Sequence, residues 1–398
     1  MKIEIRSWLK VVATVNVICL AGGQVLAQDE PYLVHDIRPL ITEGPYLVAP
    51  THDAICIVWK TDSDCHSRVE YGTSPDLGLV AEPDQHGLLP IGKIHTVRLT
   101  GLEPGQTYHY RVVSTMVVRM KAYWPEKGLS VETPIARFTL PAPGRDSVVF
   151  SFIADTQHED GPRLAANLDA VDWSDLDFLV HGGDAFGSLE SEEQFFDKLM
   201  RPVSARLGPG KPLIFVRGNH EMRGTFARRL HDYLPTPGGE FYYAFDDGPA
   251  HFVILDTGED KDDDTNVYAG LNRTEPYRER EFAWFEEHAV TDERLRTAPF
   301  RIILMHDPNW GWVDGDSGRW TELANRAGID LVVAGHRHRY SWSPPGVEGR
   351  EYGVLVVGQD QVATVRVGSN EIRMRVVNTS GDEIAVHSLP RRDPGSCQ

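Results

Sequence analysis

Cysteine is scarce in this chain, which has four cysteines in 398 residues; only Cys56, Cys65 and Cys397 come after the first 27 residues. So few thiols exclude a disulfide-stapled framework. Cys56 and Cys65 could pair in an oxidising compartment, or they could be one buried thiol and one loop thiol. The sequence leaves both options open, because it does not show whether their Cβ atoms approach each other.

Basic residues are also in deficit. The chain has 40 Lys and Arg against 58 Asp and Glu, a formal net charge of −18. A surface of this sign repels polyanions and anionic membranes at long range. We therefore expect no nucleic-acid partner, because non-specific nucleic-acid binding needs a cationic surface.

Long apolar runs are missing after the N-terminal segment, which has the three parts of an export signal. Lys2, Arg6 and Lys10 supply a positive start, Val11–Ala21 is a short apolar run, and Val25–Ala27 offers small residues for cleavage. The run is too short to cross a bilayer comfortably. The sequence therefore predicts a signal peptide over residues 1–27, a secreted or periplasmic mature chain, and no stable membrane insertion.

The first part of the predicted mature chain is a region of short strands and turns. Ala54–Trp59 is β-rich, Thr107–Val112 alternates aromatic and polar residues, and Gly101–Gly105 is a strong turn signal. Short strands at regular spacing predict an all-β sandwich of about 100 residues. We place this domain at residues 42–141.

After a linker at Pro141–Gly144 the pattern changes to alternating apolar and helical segments, which indicates an α/β domain at residues 146–390. Helical patterns cover Glu190–Met200 and Tyr277–Glu287, and Pro202 predicts the end of the first helix. Five continuous apolar runs predict strands covered on both faces: Val148–Ala154, Leu213–Val216, Phe252–Leu255, Ile302–Met305 and Leu331–Ala334.

Polar motifs with metal-ligand chemistry stand at or near the ends of apolar segments in this α/β region. They are Asp155-Thr156-Gln157-His158, Gly182-Gly183-Asp184, Gly218-Asn219-His220-Glu221, Met305-His306-Asp307 and Gly335-His336-Arg337-His338. Ligands bind beyond the carboxyl ends of strands in open α/β sheets. Asp, Asn and His suit Fe, Mn or Zn, and a carboxylate between two ions can bridge them. The pattern favours a two-metal site.

The five motifs, in this order, resemble the calcineurin-like metallophosphoesterase family over most of residues 146–345. The preceding region resembles a fibronectin type III-like module in its Trp59 strand and in the run Leu99–Val112. Together the layout is similar to that of purple acid phosphatases. The resemblance implies an N-terminal β-sandwich followed by an α/β sandwich of two mixed β-sheets flanked by helices.

The resemblance also implies roles for individual residues. Asp155 and His338 would bind the first metal, Asn219, His306 and His336 the second, and Asp184 would bridge them. His220 would face the substrate and stabilise charge or protonate the leaving oxygen. Glu221 would orient His220 or pack locally.

Three departures from the family pattern affect these expectations. Gln157 replaces a His, and we expect it to be the site residue, with His158 as the alternative. Gly187 replaces the Tyr that colours the ferric ion in purple acid phosphatases, so a metal-bound tyrosinate is not expected. The segment from Asp307 to Arg319 lacks the further His of those enzymes; Trp310, Trp312, Asp314 and Asp316 in this loop could instead shape the pocket.

The function implied is that of a metal-dependent phosphoric ester hydrolase. It would act on a small phosphate monoester through attack of metal-bound hydroxide. One alternative is a phosphodiesterase or nuclease that uses the same metals. The other is a non-catalytic binding or adhesion protein with a vestigial site, which the Gln157 and late-His departures favour. By default, His181, His251 and His288 are structural.

Overall fold

The computed structural model describes residues 33–157, 162–311 and 317–392, in which the chain forms two compact units. The first unit contains the residues up to Pro45, Val58–Val97 and Tyr108–Ala136; the second contains Tyr46–Ile57, Arg98–Thr107 and the chain from Arg137. The predicted signal peptide lies outside the described residues, as do His158, Trp312, Asp314, Asp316 and Cys397. The domain limits given above stay predictions.

The N-terminal region is built from strands alone, as predicted. In the first unit, residues 65–72 pair with residues 109–116 in an antiparallel ladder. The buried Trp59 indole N–H donates a hydrogen bond of 2.8 Å to the Ser114 hydroxyl, which satisfies the polar atom of a large core side chain. The strands are β1 (Ile41–Val48), β2 (Ile55–Gly72), β3 (Leu79–Ala81), β4 (Gly92–Leu99), β5 (Thr107–Arg119), β6 (Glu126–Glu132) and β7 (Ala136–Thr139).

Cys56 and Cys65 are both buried and both free. The structure therefore excludes the disulfide. It also differs from the other option left open by the sequence, because Cys65 lies in strand β2 with Cys56 and not in a loop. Burial raises the pKa of the Cys65 thiol to about 11, so this thiol is protonated at neutral pH and packs as a small apolar side chain.

The second unit contains two mixed β-sheets, as predicted. In the first sheet the order is β19-β18-β17-β8-β9-β10; in the second it is β11-β12-β13-β14-β16-β15. In both, the central strands run parallel: β8, β9 and β10 in one, and β12, β13, β14 and β16 in the other. Their bounds are β8 (Ser147–Ile153), β9 (Phe178–His181), β10 (Pro212–Phe215), β11 (Tyr243–Asp247), β12 (Ala250–Ile254), β13 (Phe300–Leu304), β14 (Leu331–Ala334), β15 (Ser341–Ser343), β16 (Gly353–Val356), β17 (Gln361–Gly368), β18 (Glu371–Asn378) and β19 (Glu383–Pro390).

The two sheets pack face to face through an apolar core. Phe150 and Phe178 of the first sheet contact Phe252 of the second at ring-centroid distances of 5.6 and 5.5 Å. On its other face, the second sheet packs against Phe285 and Trp320 of two helices. The helices are α1 (Pro162–Ala170), α2 (Glu192–Phe195), α3 (Arg201–Leu207), α4 (Leu230–Tyr233), α5 (Thr274–Thr291), α6 (Glu293–Thr297) and α7 (Ser317–Arg326).

Pro202 does not end the first predicted helix. A π-helical segment at Phe196–Met200 joins α2 to α3, and Pro202 lies in the first turn of α3, which continues to Leu207. A proline is tolerated where its missing N–H has no helical acceptor to lose. In the described residues no helix is both long enough and apolar enough to cross a membrane.

Candidate metal centre

The predicted ligand residues converge because parallel strands place their carboxyl ends at the same edge of a sheet. Each lies on a short loop after a buried strand: Asp155 and Gln157 after β8, Asp184 after β9, Asn219 after β10, His306 after β13, and His336 and His338 after β14. The two sheets thus contribute to one site from both sides.

Two clusters of metal-ligating groups meet at Asp184. One consists of Asp184, His306 and His336, and the other of Asp155, Asp184 and His338; within each, the ligand atoms lie within 4.8 Å of one another. The Asp184 carboxylate is the group that both clusters share. This is the arrangement of a bridging carboxylate between two ions.

One ring nitrogen of His306 is held by a backbone carbonyl, and the other lies among the predicted ligand groups. Its Nδ1 lies 2.7 Å from the Gly182 carbonyl, which can only accept, so Nδ1 carries the proton. Its Nε2 lies 3.2 Å from Asp184 Oδ2 and 3.1 Å from Asn219 Oδ1, where a metal ion would take the place of a proton on this nitrogen. Such a backbone acceptor behind a histidine fixes the tautomer that binds a metal.

On the other side of Asp184, two oxygens are buried and have no hydrogen-bond partner among the described residues: Asp155 Oδ1 and Gln157 Oε1. His338 Nε2 lies 3.4 Å from Asp155 Oδ1 and 3.4 Å from Gln157 Nε2. Buried oxygens without a donor are costly unless a cation satisfies them. The donor set therefore fits a metal ion here. Gln157 lies beside Asp155 and His338, and its choice over His158 stays a prediction.

Four of the ligand residues have backbone conformations that side chains rarely adopt. Asp155, Asp184 and His338 each have φ of 56°, and His336 has φ of 67°. Left-handed non-glycine residues are uncommon and cluster at functional sites, where the surrounding structure holds them in place.

Glycines beside the ligands allow the loops to approach closely. A Cβ on Gly218 would lie 2.3 Å from Asp184 Oδ1, and one on Gly183, which has φ of 90°, would lie 2.6 Å from the Gly218 nitrogen. No side chain fits at either position. These glycines belong to the motifs because the backbone itself fills the space beside the carboxylate.

Glu221 braces the loops and is not among the metal-ligating clusters. Its buried carboxylate accepts hydrogen bonds of 2.8 Å from the backbone N–H groups of Asp184, Ala185 and Gly218. Burial, reinforced by the nearby Asp184 charge, raises the pKa of Glu221 to about 7. The expectation that Glu221 would orient local structure describes this geometry, although it orients the ligand loops and not His220 alone.

The electrostatics of the centre favour a bound cation. Burial raises the pKa of the Asp155 carboxyl to about 7, against the opposing effect of charge on His306. For His306, burial lowers the pKa, but the Asp184 carboxylate outweighs it and the pKa rises to about 10. Buried acids of this kind are stabilised by a metal ion, which supplies positive charge that solvent cannot.

His220 lies near the same Asp184 oxygen that His306 approaches. Its Nδ1 donates to the Gly187 carbonyl at 2.6 Å, and its Nε2 lies 4.0 Å from Asp184 Oδ2. Arg223 Nη1 donates to the same Nε2 at 3.0 Å. The position where purple acid phosphatases place a tyrosine thus supplies, through Gly187, a backbone acceptor that sets the His220 ring.

The sequence analysis did not identify the arginines that contact His220 and Gln157. Arg223 contacts His220, and Arg163 contacts Gln157. Arg223 also contacts the buried carboxylate of Glu259, with Nε 3.1 Å from Oε2, and Asp260 at 2.8 Å. Arg163 donates to the Gln157 carbonyl at 3.1 Å. Arg223 stands only three residues after His220, but nothing local in the sequence pairs it with Glu259.

His181, His251 and His288, which the sequence analysis treats as structural, contact neighbouring side chains. His181 is buried and lies 2.9 Å from the Thr156 hydroxyl. His251 and His288 have their Nε2 atoms 2.9 Å apart, and His251 Nδ1 lies 2.9 Å from Asp246. The Nε2 atoms of His251 and His288 thus pair with each other, whereas His181 Nδ1 has no hydrogen-bond partner among the described residues. With Asp292, His251 and His288 also form a group that could hold a metal ion. A structural role for the three histidines therefore stays a prediction.

Trp310 does not shape a pocket. Its side chain is buried in the core, stacked on Trp320 at 5.8 Å, and its indole N–H donates to the Thr321 hydroxyl at 3.1 Å. The expectation for this residue was wrong, because an apolar ring beside helix α7 gains more from burial than from a place at the metal edge.

Comparison with known proteins agrees with this architecture. Residues 149–340 match the family of calcineurin-like phosphoesterases, and residues 44–125 match the purple acid phosphatase N-terminal domain. Among curated proteins, purple acid phosphatase 23 of Arabidopsis thaliana is 24% identical over 295 residues, covering 63% of this chain and 57% of the relative. Acid phosphatase type 7 of Mus musculus is 24% identical over 346 residues, covering 79% and 72%.

Solved structures share the fold at low sequence identity. A purple acid phosphatase from yellow lupin seeds superposes with a TM-score of 0.65 at 16% identity, covering 89% of this chain and 74% of that one. A structure of PhoD gives 0.59 at 13%, covering 88% and 91%. The chain spans less than two thirds of the Arabidopsis relative. The chain contains a calcineurin-like phosphoesterase domain over residues 149–340, preceded by a purple acid phosphatase N-terminal domain over residues 44–125.

Proposed function

We propose that this chain is an exported, dinuclear-metal phosphoesterase that hydrolyses small phosphate monoesters. The observation that carries the proposal is the Asp184 carboxylate, which belongs to both clusters of metal-ligating groups at one edge of the sheets. A single cation would leave one of these clusters without a role. The names of the relatives, purple acid phosphatase and acid phosphatase, support the same reaction class.

In this proposal the residues divide between two ions of iron, manganese or zinc. Asp155, Gln157 and His338 hold one ion and Asn219, His306 and His336 the other, with Asp184 bound to both. A bound metal pair lowers the pKa of a water molecule, orients the phosphate and neutralises charge on its oxygens. Gln157 contributes a neutral oxygen, so the ion beside it is held by less negative charge than a carboxylate would give.

His220 holds a hydrogen-bonding nitrogen toward the reacting ester. The Gly187 carbonyl fixes its Nδ1–H, so Nε2 is the atom that faces Asp184. In this tautomer Nε2 accepts from Arg223 and carries no proton. Once it has taken up a proton and released Arg223, it can donate to a phosphate oxygen or to the leaving oxygen. Arg223, which also contacts Nε2, adds a permanent positive charge beside the same position.

The charge of the whole chain supports a small substrate. With a net charge of −18, its surface repels polyanions, whereas metals in the site attract a single phosphate group. Export rests on the N-terminal sequence pattern alone, and N-terminal sequencing of protein recovered outside the cytoplasm would test whether the mature chain begins near Gln28.

Metal analysis of the purified full-length chain, followed by assays on nitrophenyl phosphate and bis-nitrophenyl phosphate, tests the proposal. We expect two metal ions per chain and faster turnover of the monoester. Asp184→Asn should lose both metal and activity, whereas Asp264→Asn, at an exposed position, should keep them. Preferred turnover of the diester would favour the phosphodiesterase alternative. Two bound metals with no turnover of either ester would favour a binding protein.

A further inference from the structure

Five arginines line one cavity in the second unit, although basic residues are in deficit over the whole chain. The cavity has a volume of about 510 Å³. Its arginines come from four segments: Arg296 at α6, Arg301 at β13, Arg326 at α7, and Arg391 and Arg392 after β19. Arginine side chains repel one another, so their convergence calls for a compensating anion.

The cavity lies at the amino ends of strands whose carboxyl ends carry metal-ligand residues. Arg301 is on β13, which leads to His306, and Gly328 precedes β14, which leads to His336. The five residues from Arg301 to His306 span roughly 16 Å of extended chain. This cavity is therefore separate from the metal centre.

The positive charge of the cavity is only partly neutralised by the protein. Arg301 and Arg392 share the Asp330 carboxylate, at 3.4 and 3.3 Å. Arg326 pairs with Glu286 at 3.2 Å. Over residues 33–157, 162–311 and 317–392, Arg296 and Arg391 make no ion pair with an acidic side chain.

Two of the guanidinium groups are held in place by backbone acceptors. Arg301 donates from Nε to the Leu295 carbonyl at 2.7 Å, and Arg392 donates from Nη2 to the Ile329 carbonyl at 2.7 Å. The floor of the cavity is apolar and includes the buried side chains of Ala298 and Ala327. Fixed, planar, permanently charged donors around a concave floor are suited to bidentate recognition of phosphate.

We propose that this cavity is a second anion site, which binds a small molecule carrying several phosphate groups. A single phosphate would contact only some of five arginines that come from four segments. The cavity volume is that of a small-molecule site, not of a nucleic-acid groove, and the net charge of −18 on the whole chain disfavours a long polyanion. The site does not depend on the proposed hydrolysis.

Calorimetric titration of inorganic tripolyphosphate into the full-length Asp184→Asn chain tests the proposal, because that substitution removes the bridging ligand of the competing metal centre. We expect saturable binding with one site per chain, weakening as salt is added. The double variant Arg296→Gln, Arg391→Gln, in the same background, should bind at least about tenfold more weakly, since two charge-assisted contacts are lost. Both positions are exposed, so folding should be unaffected.

Arg373→Gln is the matched control, because Arg373 is an exposed arginine on β18 that does not line the cavity. It should bind like the background chain. Absence of saturable binding at low salt would overturn the site, and so would equal affinity in the double variant and the background. Citrate binding as tightly as tripolyphosphate would overturn the phosphate class. None of these results bears on the metal centre, which is tested by metal content and turnover.

Discussion

Arg223 Nη1 lies 3.0 Å from Nε2 of His220, and the remaining donors of Arg223 contact Glu259 and Asp260. The arginine therefore holds the imidazole from one side while the Gly187 carbonyl holds it from the other. A ring held at both nitrogens is oriented before any substrate arrives. To act as an acid, Nε2 must exchange the Arg223 contact for a proton.

We expect His220→Ala to lower turnover by about 10²- to 10⁴-fold, the usual contribution of a positioned acid or base, while both metals stay bound. The loss should be smaller for esters with good leaving groups, which need less protonation. Steady-state kinetics on two such esters, together with metal analysis, measure this. Wild-type turnover on the poor leaving group with metals intact would show that His220 has no such role.

Arg223→Gln should act through His220. It removes the fixed donor to Nε2 and leaves the Gly187 contact, so we expect kcat to fall more than KM rises, with unchanged metal content. Combining it with His220→Ala should add little further loss, because the two residues act as one unit. Fully additive effects would mean that Arg223 contacts the substrate independently of His220.

Gly218→Ala should abolish metal binding, because its Cβ would lie 2.3 Å from Asp184 Oδ1. Gly187→Ala is the matched control: no atom lies within 4 Å of its Cβ position, and its carbonyl remains available to His220. Elemental analysis and circular dichroism of both variants distinguish loss of the site from loss of the fold. Full metal content in Gly218→Ala would contradict the close approach of these loops.

Gln157 should contribute a weak, neutral ligand. Its Oε1 is buried and lacks a hydrogen-bond partner among the described residues, so Gln157→Ala should weaken one of the two metals and spare the other. Gln157→Glu should tighten that metal, since a carboxylate adds charge to the same position. Metal titration against a chelating dye measures both constants. If His158→Ala weakens the metal instead, then His158 is the ligand.

The first unit should lose stability in acid through His95. Burial lowers the pKa of this side chain from 6.5 to about 4, while its Nε2 contacts the Thr61 hydroxyl at 2.8 Å. Between these values the unfolded chain binds the proton and the folded one does not, so stability falls as pH drops from 6.5 toward 4. A shift of this size is worth about 2 kcal/mol between pH 7.5 and 4.5.

Amide hydrogen exchange of β2 and β4, measured at the two pH values of the preceding paragraph, gives the local loss of stability. In His95→Gln the difference between the two pH values should shrink by about that amount, whatever the variant's absolute stability. An unchanged pH dependence would place the acid sensitivity of these strands elsewhere.

The sequence by itself determined the fold class and indicated the candidate ligand residues. Apolar runs such as Val148–Ala154 are too continuous to be half-exposed, so they became strands covered on both faces. Asp155, Asp184 and His306 were identifiable because polar ligands after such strands can only lie at the sheet edge. The need for glycine at position 218, by contrast, came from the tertiary structure, because the carboxylate beside it belongs to Asp184 on another loop.

Only the tertiary structure decided which distant residues meet. Arg223 is 36 residues from Glu259 along the chain, and the cavity arginines run from Arg296 to Arg392, so no local spacing could join them. The free state of Cys56 and Cys65 was likewise undecided, because a disulfide depends on the approach of Cβ atoms and not on sequence separation. Periodicity along the chain reports which face is buried, whereas contacts between faces depend on how the sheets and helices pack together.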